Sequence, residues 1–193
     1  KISSNLDYFF NIATKQDIKK GLCWYKNANN EANIIAKKYN LDVYKVSQVI
    51  SALSPRNKWE QNIKDSDKLC EAFCLGLHPE DIKVCTFHTN KFKAFNILAS
   101  NSEITANSLK TFNFVNNIAY LSKEHLTIDI WHLRACFFND IKINNAAIGK
   151  LAYNQIKVLT IDKANTLGLK GFELQAIVWI SAQKIFINNR KTQ

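Results

Sequence analysis

Glycine and proline are scarce in this 193-residue chain, at five and two residues. So few backbone breakers argue against a many-turned β architecture and for helices. Long hydrophobic runs are missing too: nothing approaches the roughly 18 uninterrupted apolar residues that a membrane span needs. The opening Lys1-Ile2-Ser3-Ser4-Asn5 lacks the apolar stretch of a secretory signal. The expectation is therefore an intracellular protein, cytoplasmic or nucleoid-associated, with no membrane partner. Cysteine is present but odd in number, and Cys23, Cys70, Cys74, Cys85 and Cys136 sit in apolar runs. They form neither a secreted disulfide framework nor a CxxC or Cys/His spacing for zinc or an iron–sulfur cluster. Buried free thiols are expected, with no metal and no cofactor.

Acidic residues are also few, 16 against 26 Lys plus Arg, which leaves a formal charge of +10. With 47% hydrophobic residues the chain has enough apolar surface to bury a core, so disorder is excluded. A basic globular chain tends toward polyanions such as DNA, RNA or an acidic membrane surface.

Apolar spacing predicts helices almost throughout. Residues 29–39 place Ala32, Ile35, Ala36 and Tyr39 on one face. Asp42 is placed to cap the next helix, which carries Val43, Val46, Val49, Ile50 and Leu53. After the break at Ser54-Pro55-Arg56, a helix over about 58–75 sets Trp59, Ile63, Cys70 and Phe73 among charged neighbours. His78-Pro79-Glu80 opens a short helical turn. Further helices are expected over about 90–99, 108–121, 129–138, 145–159 and 171–188, followed by a frayed basic tail at 188–193.

Two places carry chemistry. Arg56-Asn57-Lys58-Trp59 sets cations beside an aromatic, a combination that grips phosphate and stacks on a base. Lys110 and Asp129 lie 19 positions apart, each at the start of an apolar helix. Two adjacent helix N-termini facing one cleft would attract phosphate. A partly desolvated lysine there would have a depressed pKa and serve as an amine nucleophile, while the aspartate would stabilise a cationic sugar and handle protons. Beside this stands the simpler reading of Asp129 as a helix N-cap.

Taken in order, these segments resemble the helix-hairpin-helix DNA glycosylases, the superfamily that includes endonuclease III and the 8-oxoguanine glycosylases. Ile50-Ser51-Ala52-Leu53-Ser54-Pro55-Arg56, followed by residues 62–69, resembles the "LLSAQ…N…A..L" helix and strand-insertion loop. The run from Asn90 to Leu98 resembles the "KA..I" helix before the hairpin. Lys110-Thr111 through Ile128-Asp129 to Arg134 resembles "GVGxKTA…VDTHVxR", with Lys110 on the Schiff-base lysine and Asp129 on the motif's aspartate. Gln175-Ala176-Ile177-Val178-Trp179 resembles the late helix that packs against this motif. The resemblance covers about 43–184. It departs where residues 101–109 contain no glycine, where Arg56 replaces glutamine, and where Ile130-Trp131 replaces Thr-His.

The resemblance implies an all-α fold of about 9–10 helices, a single glycosylase-like unit over 1–193 built as two closely packed subdomains with the active-site cleft between them. It implies a monomeric DNA glycosylase with AP lyase activity, acting on damaged or modified duplex and abasic sites, with Lys110 and Asp129 catalytic. DNA contacts are expected from Arg56, Asn57, Lys58, Trp59, Lys91, Lys93 and Trp131, with part of the charge excess around one cleft fed by the Arg56 loop and the Lys91 helix. Two alternatives stand beside it: a phage-type base-modification enzyme of the same fold acting on hypermodified pyrimidines, and a non-catalytic DNA-binding module.

Overall fold

A computed structural model of the chain describes residues 1–138 and 148–191; the side chains of 188–191 are not described. The all-α expectation is met: the described residues form nine α-helices and one 3-10 turn, with no strand. They are α1 (Ile2–Asn11), α2 (Lys15–Tyr39), α3 (Val43–Leu53), α4 (Trp59–Cys74), the 3-10 turn Pro79–Asp81, α5 (His88–Leu98), α6 (Leu109–Tyr120), α7 (Ile130–Cys136), α8 (Lys150–Thr166) and α9 (Gly171–Lys191). The helix expected from 145 begins at Lys150, and 145–147 lie outside the described residues. α9 stays helical through Lys191, past the point where the tail was expected to fray; 192–193 lie outside the described residues.

Several boundaries follow from local chemistry. Asp42 caps α3 by accepting the Lys45 amide at 3.1 Å, which satisfies one of the donors a helix start leaves open. Thr14 and Asp17 exchange bonds at the start of α2, the Asp17 amide to Thr14 Oγ1 at 3.2 Å and the Thr14 amide to Asp17 Oδ2 at 3.1 Å. This is the reciprocal arrangement of a capping box. Scarce glycine shows at helix ends: Gly76 and Gly168 adopt positive φ, but so do Asn40, Ser100 and Leu121, which close α2, α5 and α6. A non-glycine residue in that region costs about 1 kcal/mol or more.

The helices fall into two compact units, one of Lys1–Lys26 and Ser122–Gln193, the other of Asn27–Leu121. In the second unit α3 is the centre. Every residue from Val46 to Leu53 is buried, so the helix needs neighbours all round, and α4, α5 and α6 supply them. Its core partners include Leu69, Ile97, Val115 and Ile118. The buried face of α4 is partly polar. Asn62, Asp65, Ser66, Leu69, Cys70 and Ala72 are buried, while Trp59, Ile63 and Phe73 are only half-buried. Part of this polar face is bonded internally, for example Asn62 Nδ2 to the Ile50 carbonyl at 3.0 Å. The thiols also depart from expectation: Cys70 and Cys136 are buried, but Cys23, Cys74 and Cys85 are exposed.

In the first unit, α9 packs against α1, α7 and α8, with Leu6, Phe9, Leu133, Ile156, Leu174 and Ile177 inside. The start of α2 joins it through Gly21. A Cβ there would lie 2.8 Å from the Ile177 amide nitrogen and 2.9 Å from its Cα, so only glycine lets the two backbones approach this closely. Because backbone atoms cannot step aside, Gly21→Ala is expected to cost about 1–3 kcal/mol, read as a lowered thermal midpoint. An unchanged midpoint would contradict the close packing.

Candidate functional site

The strap from Leu126 to Ile128 leads into Asp129 at the start of α7, and it is held by buried polar groups. The Tyr153 hydroxyl donates to the Leu126 carbonyl at 2.8 Å and accepts the Ile128 amide at 3.1 Å. Thr127 between them bonds through its side chain to Tyr25, whose hydroxyl also meets Gln175 Oε1 at 3.0 Å. Burial pushes the Tyr25 phenol well above its usual pKa; the Thr127 bond opposes this, and the nearby Asp129 carboxylate and Tyr153 add to it. Asp129 itself is half-buried, and its Oδ1 accepts the His132 amide at 2.8 Å. The N-cap reading of Asp129 is thus correct, and nothing in it prevents a second task for the carboxylate.

His132, one turn on, is fully buried. One ring nitrogen meets Thr160 Oγ1 at 3.1 Å, and the other has no hydrogen-bond partner. Burial lowers its pKa to about 4, so the ring is neutral at ordinary pH. Trp131 is half-buried; the Arg134 guanidinium lies 4.8 Å from its ring centroid and Phe186 is 6.4 Å away.

Lys110 belongs to the other unit, in the first turn of α6. That turn has no acidic residue, and Ser108 makes no side-chain cap bond. The partial desolvation expected of Lys110 is not there: the residue is exposed, as are residues 105–108 of the turn before α6. The glycine-free segment that precedes α6 is built by another device. Ile104 is buried and its amide donates to Gln48 Oε1 of α3 at 2.7 Å. The following turn closes through the Ser108 amide to the Thr105 carbonyl at 3.0 Å.

The loop between α3 and α4 presents Arg56, exposed and with φ of 57°, a backbone state that a bulky side chain rarely adopts without a function or a constraint. The constraint is visible. Asn57 Nδ2 donates to the buried Asp65 carboxylate at 3.0 Å, and the same carboxylate accepts the Cys85 amide at 2.9 Å and Gln61 Nε2 at 2.9 Å. Asp65 therefore ties the Arg56 loop to the segment before α5. That segment ends in Phe87, 51% exposed, with the Arg56 guanidinium 5.6 Å from its ring centroid. Sequence reasoning missed Phe87, since an isolated aromatic before a helix carries no periodic signal.

The remaining expected contacts divide. Lys58 and Lys93 are exposed and Trp59 is half-buried. One expectation needs correction. Lys91 is buried, its Nζ donating to the Ile82 carbonyl at 2.9 Å, so its charge serves the fold and cannot reach a phosphate. Asn57 is half-buried and donates from its side-chain amide to Asp65. The charge excess is unequal between the two units. The unit with Arg56, Lys91 and Lys110 holds 11 Lys plus Arg against 9 Asp plus Glu, whereas the unit with Asp129 holds 15 against 7.

Among the described residues, no group of His, Cys, Asp and Glu is arranged to hold a metal ion, and no helix is long and apolar enough to cross a membrane. What the fold defines is an all-helical protein of two units with a helix-capping aspartate in one and an exposed helix-start lysine in the other. The chain belongs to the DUF7178 family, a family of unknown function whose model matches residues 1–186. No curated protein and no solved structure gives a match.

His132 gives the first unit a defined acid lability. A free histidine titrates near 6.5, and the folded value of about 4 is lower, so the unfolded chain binds the extra proton first. The stability held by neutral His132 is complete above about pH 6.5 and is lost as pH falls toward 4, by about 3 kcal/mol. Denaturant titrations across this window are expected to show the slope in the wild type and a flattened one in His132→Gln. Asp17, held low mainly by its bond to Lys184, loses its contribution at lower pH, below the ordinary carboxylate range.

Proposed function

We propose that this chain is a DNA glycosylase with AP lyase activity. The observation that carries the reading is that the two motif residues both fall at helix starts: Lys110 lies in the uncapped first turn of α6, and Asp129 is the cap of α7, supplied by a clamped strap. The likeness to the helix-hairpin-helix glycosylases rests on these residues and the segments around them.

A base stacked in a duplex shields its sugar, so the nucleotide is turned out of the helix before reaction. The Lys110 amine attacks C1′ as the bond from C1′ to the base breaks, and the base leaves with that electron pair. The sugar ring opens to an imine between Nζ and C1′. The imine acidifies the C2′ hydrogen; its removal expels the 3′ phosphate by β-elimination and breaks the strand. Asp129 stabilises the positive charge that develops on the sugar. Because Lys110 is exposed, desolvation of its amine is left to the bound duplex. Arg56, with Phe87 beside it, is suited to the space the turned-out nucleotide leaves. Lys58, Lys93, Trp59 and Trp131 remain as further DNA contacts in this reading.

The exposure of Lys110 also favours a second reading, in which the same fold modifies a hypermodified pyrimidine without releasing it. The two separate experimentally. Under the glycosylase reading, wild-type protein is trapped on abasic DNA by borohydride and Lys110→Ala is not. Asp129→Asn slows base release by about 10²–10⁴-fold while still binding duplex. Wild-type protein that yields no trapped complex and no strand cleavage defeats the lyase reading. Conversion of a modified pyrimidine with the base retained, equal in wild type and Lys110→Ala, supports the second. Phe87→Ala is expected to weaken binding to duplex containing an abasic site by about tenfold, one stacking contact's worth, in fluorescence anisotropy.

A further inference from the structure

The excess positive charge of the unit formed by Lys1–Lys26 and Ser122–Gln193 has a local concentration on α2. Lys15, Lys19, Lys20 and Lys26 are exposed, while Asp17, Gly21 and Tyr25 on the opposite side of the same helix are buried. At 100° per residue the four lysines fall within about 140° of arc, and Lys15, Lys19 and Lys26 within about 40°. They span about 16 Å of helix, close to five base steps of one DNA strand.

None of the four forms an ion pair among the described residues; the lysines that do are Lys38, Lys163, Lys170 and Lys184. Asp17, the one acidic residue of this stretch, lies on the buried side and is held by Lys184 at 2.6 Å, so it does not neutralise the stripe. The placement is also unfavourable for the helix alone. Lys15 and Lys19 are like charges one turn apart, and both sit near the positive end of the helix dipole. An external polyanion would offset both effects.

We propose that this face of α2 is a phosphate-tracking surface for duplex DNA. The proposal rests on the DNA-acting reading above, and it assigns backbone binding to a surface outside the glycine-free turn before α6. Surface lysines of this kind bind without regard to sequence and make affinity fall steeply with salt.

The test uses the full chain and an undamaged 20-base-pair duplex, with affinity measured by anisotropy from 50 to 300 mM salt. The triple variant Lys15→Gln, Lys19→Gln, Lys26→Gln is expected to bind at least tenfold more weakly at 100 mM salt, with the salt slope reduced by about 2–3. The matching Lys→Arg triple is expected to bind as wild type does, which separates loss of charge from loss of fold. An equal loss in a control triple of exposed lysines elsewhere, Lys64→Gln, Lys123→Gln, Lys150→Gln, would overturn the assignment, as would an unchanged slope in the α2 triple. So would a wild-type protein that binds phosphatidylserine vesicles and not duplex. Borohydride trapping on abasic DNA is read in parallel. Loss of duplex binding in the α2 triple with no trapping by wild type sinks the lyase chemistry and leaves the surface standing; trapping with an unaltered α2 triple does the reverse.

Discussion

A buried tyrosine hydroxyl can neither remain unbonded nor reach water, and at Tyr153 this requirement organises the surroundings of Asp129. The hydroxyl bonds the strap on both sides of Thr127, at the Leu126 carbonyl and the Ile128 amide. One buried side chain thereby supplies a partner to two backbone groups of the strap. The strap is thereby extended, Thr127 is turned toward Tyr25, and the next residue arrives where α7 needs a cap. The position of the aspartate is a consequence of buried hydrogen bonding from α2, α8 and α9, since Tyr25, Tyr153 and Gln175 come from these three helices.

The same logic runs through the other unit with a different group. Asp65 is buried and accepts three neutral donors from three places in the chain. A carboxylate in that setting is tolerable only while all those donors are present, so the loop at Arg56 and the segment before Phe87 are held in register. Lys91 performs a comparable task by donating to Ile82. Thus several polar residues that look like surface chemistry in the linear chain are internal fasteners, while Arg56, Phe87, Lys58, Lys93 and Lys110 of this unit are exposed.

Much of the helical plan was legible because its signals are local. Apolar spacing marks α3 and α6, Asp42 and Asp129 mark helix starts through their short carboxylates, and the low glycine and proline content marks the class. The faces of helices were less legible. α4 carries Trp59, Ile63 and Phe73 at helical spacing, yet it buries Asn62, Asp65 and Ser66. Hydropathy counts side chains one at a time, while a buried amide or carboxylate depends on partners that are distant in sequence. The fate of Lys91 was hidden for the same reason, since its acceptor is a backbone carbonyl that any residue could supply.

By itself, the sequence determined the all-α class, the helix starts at Asp42 and Asp129 and the net positive charge, because each depends on residue type and short-range spacing. Only the tertiary structure decided which cations face solvent. It buried Lys91, exposed Lys110, set Arg56 beside Phe87 and left the α2 lysines uncovered. The physical reason is that burial and hydrogen-bond satisfaction are properties of packed surfaces. Lys91 and Lys110 are identical in covalent chemistry, and only their neighbours make one a fastener and leave the other exposed to solvent.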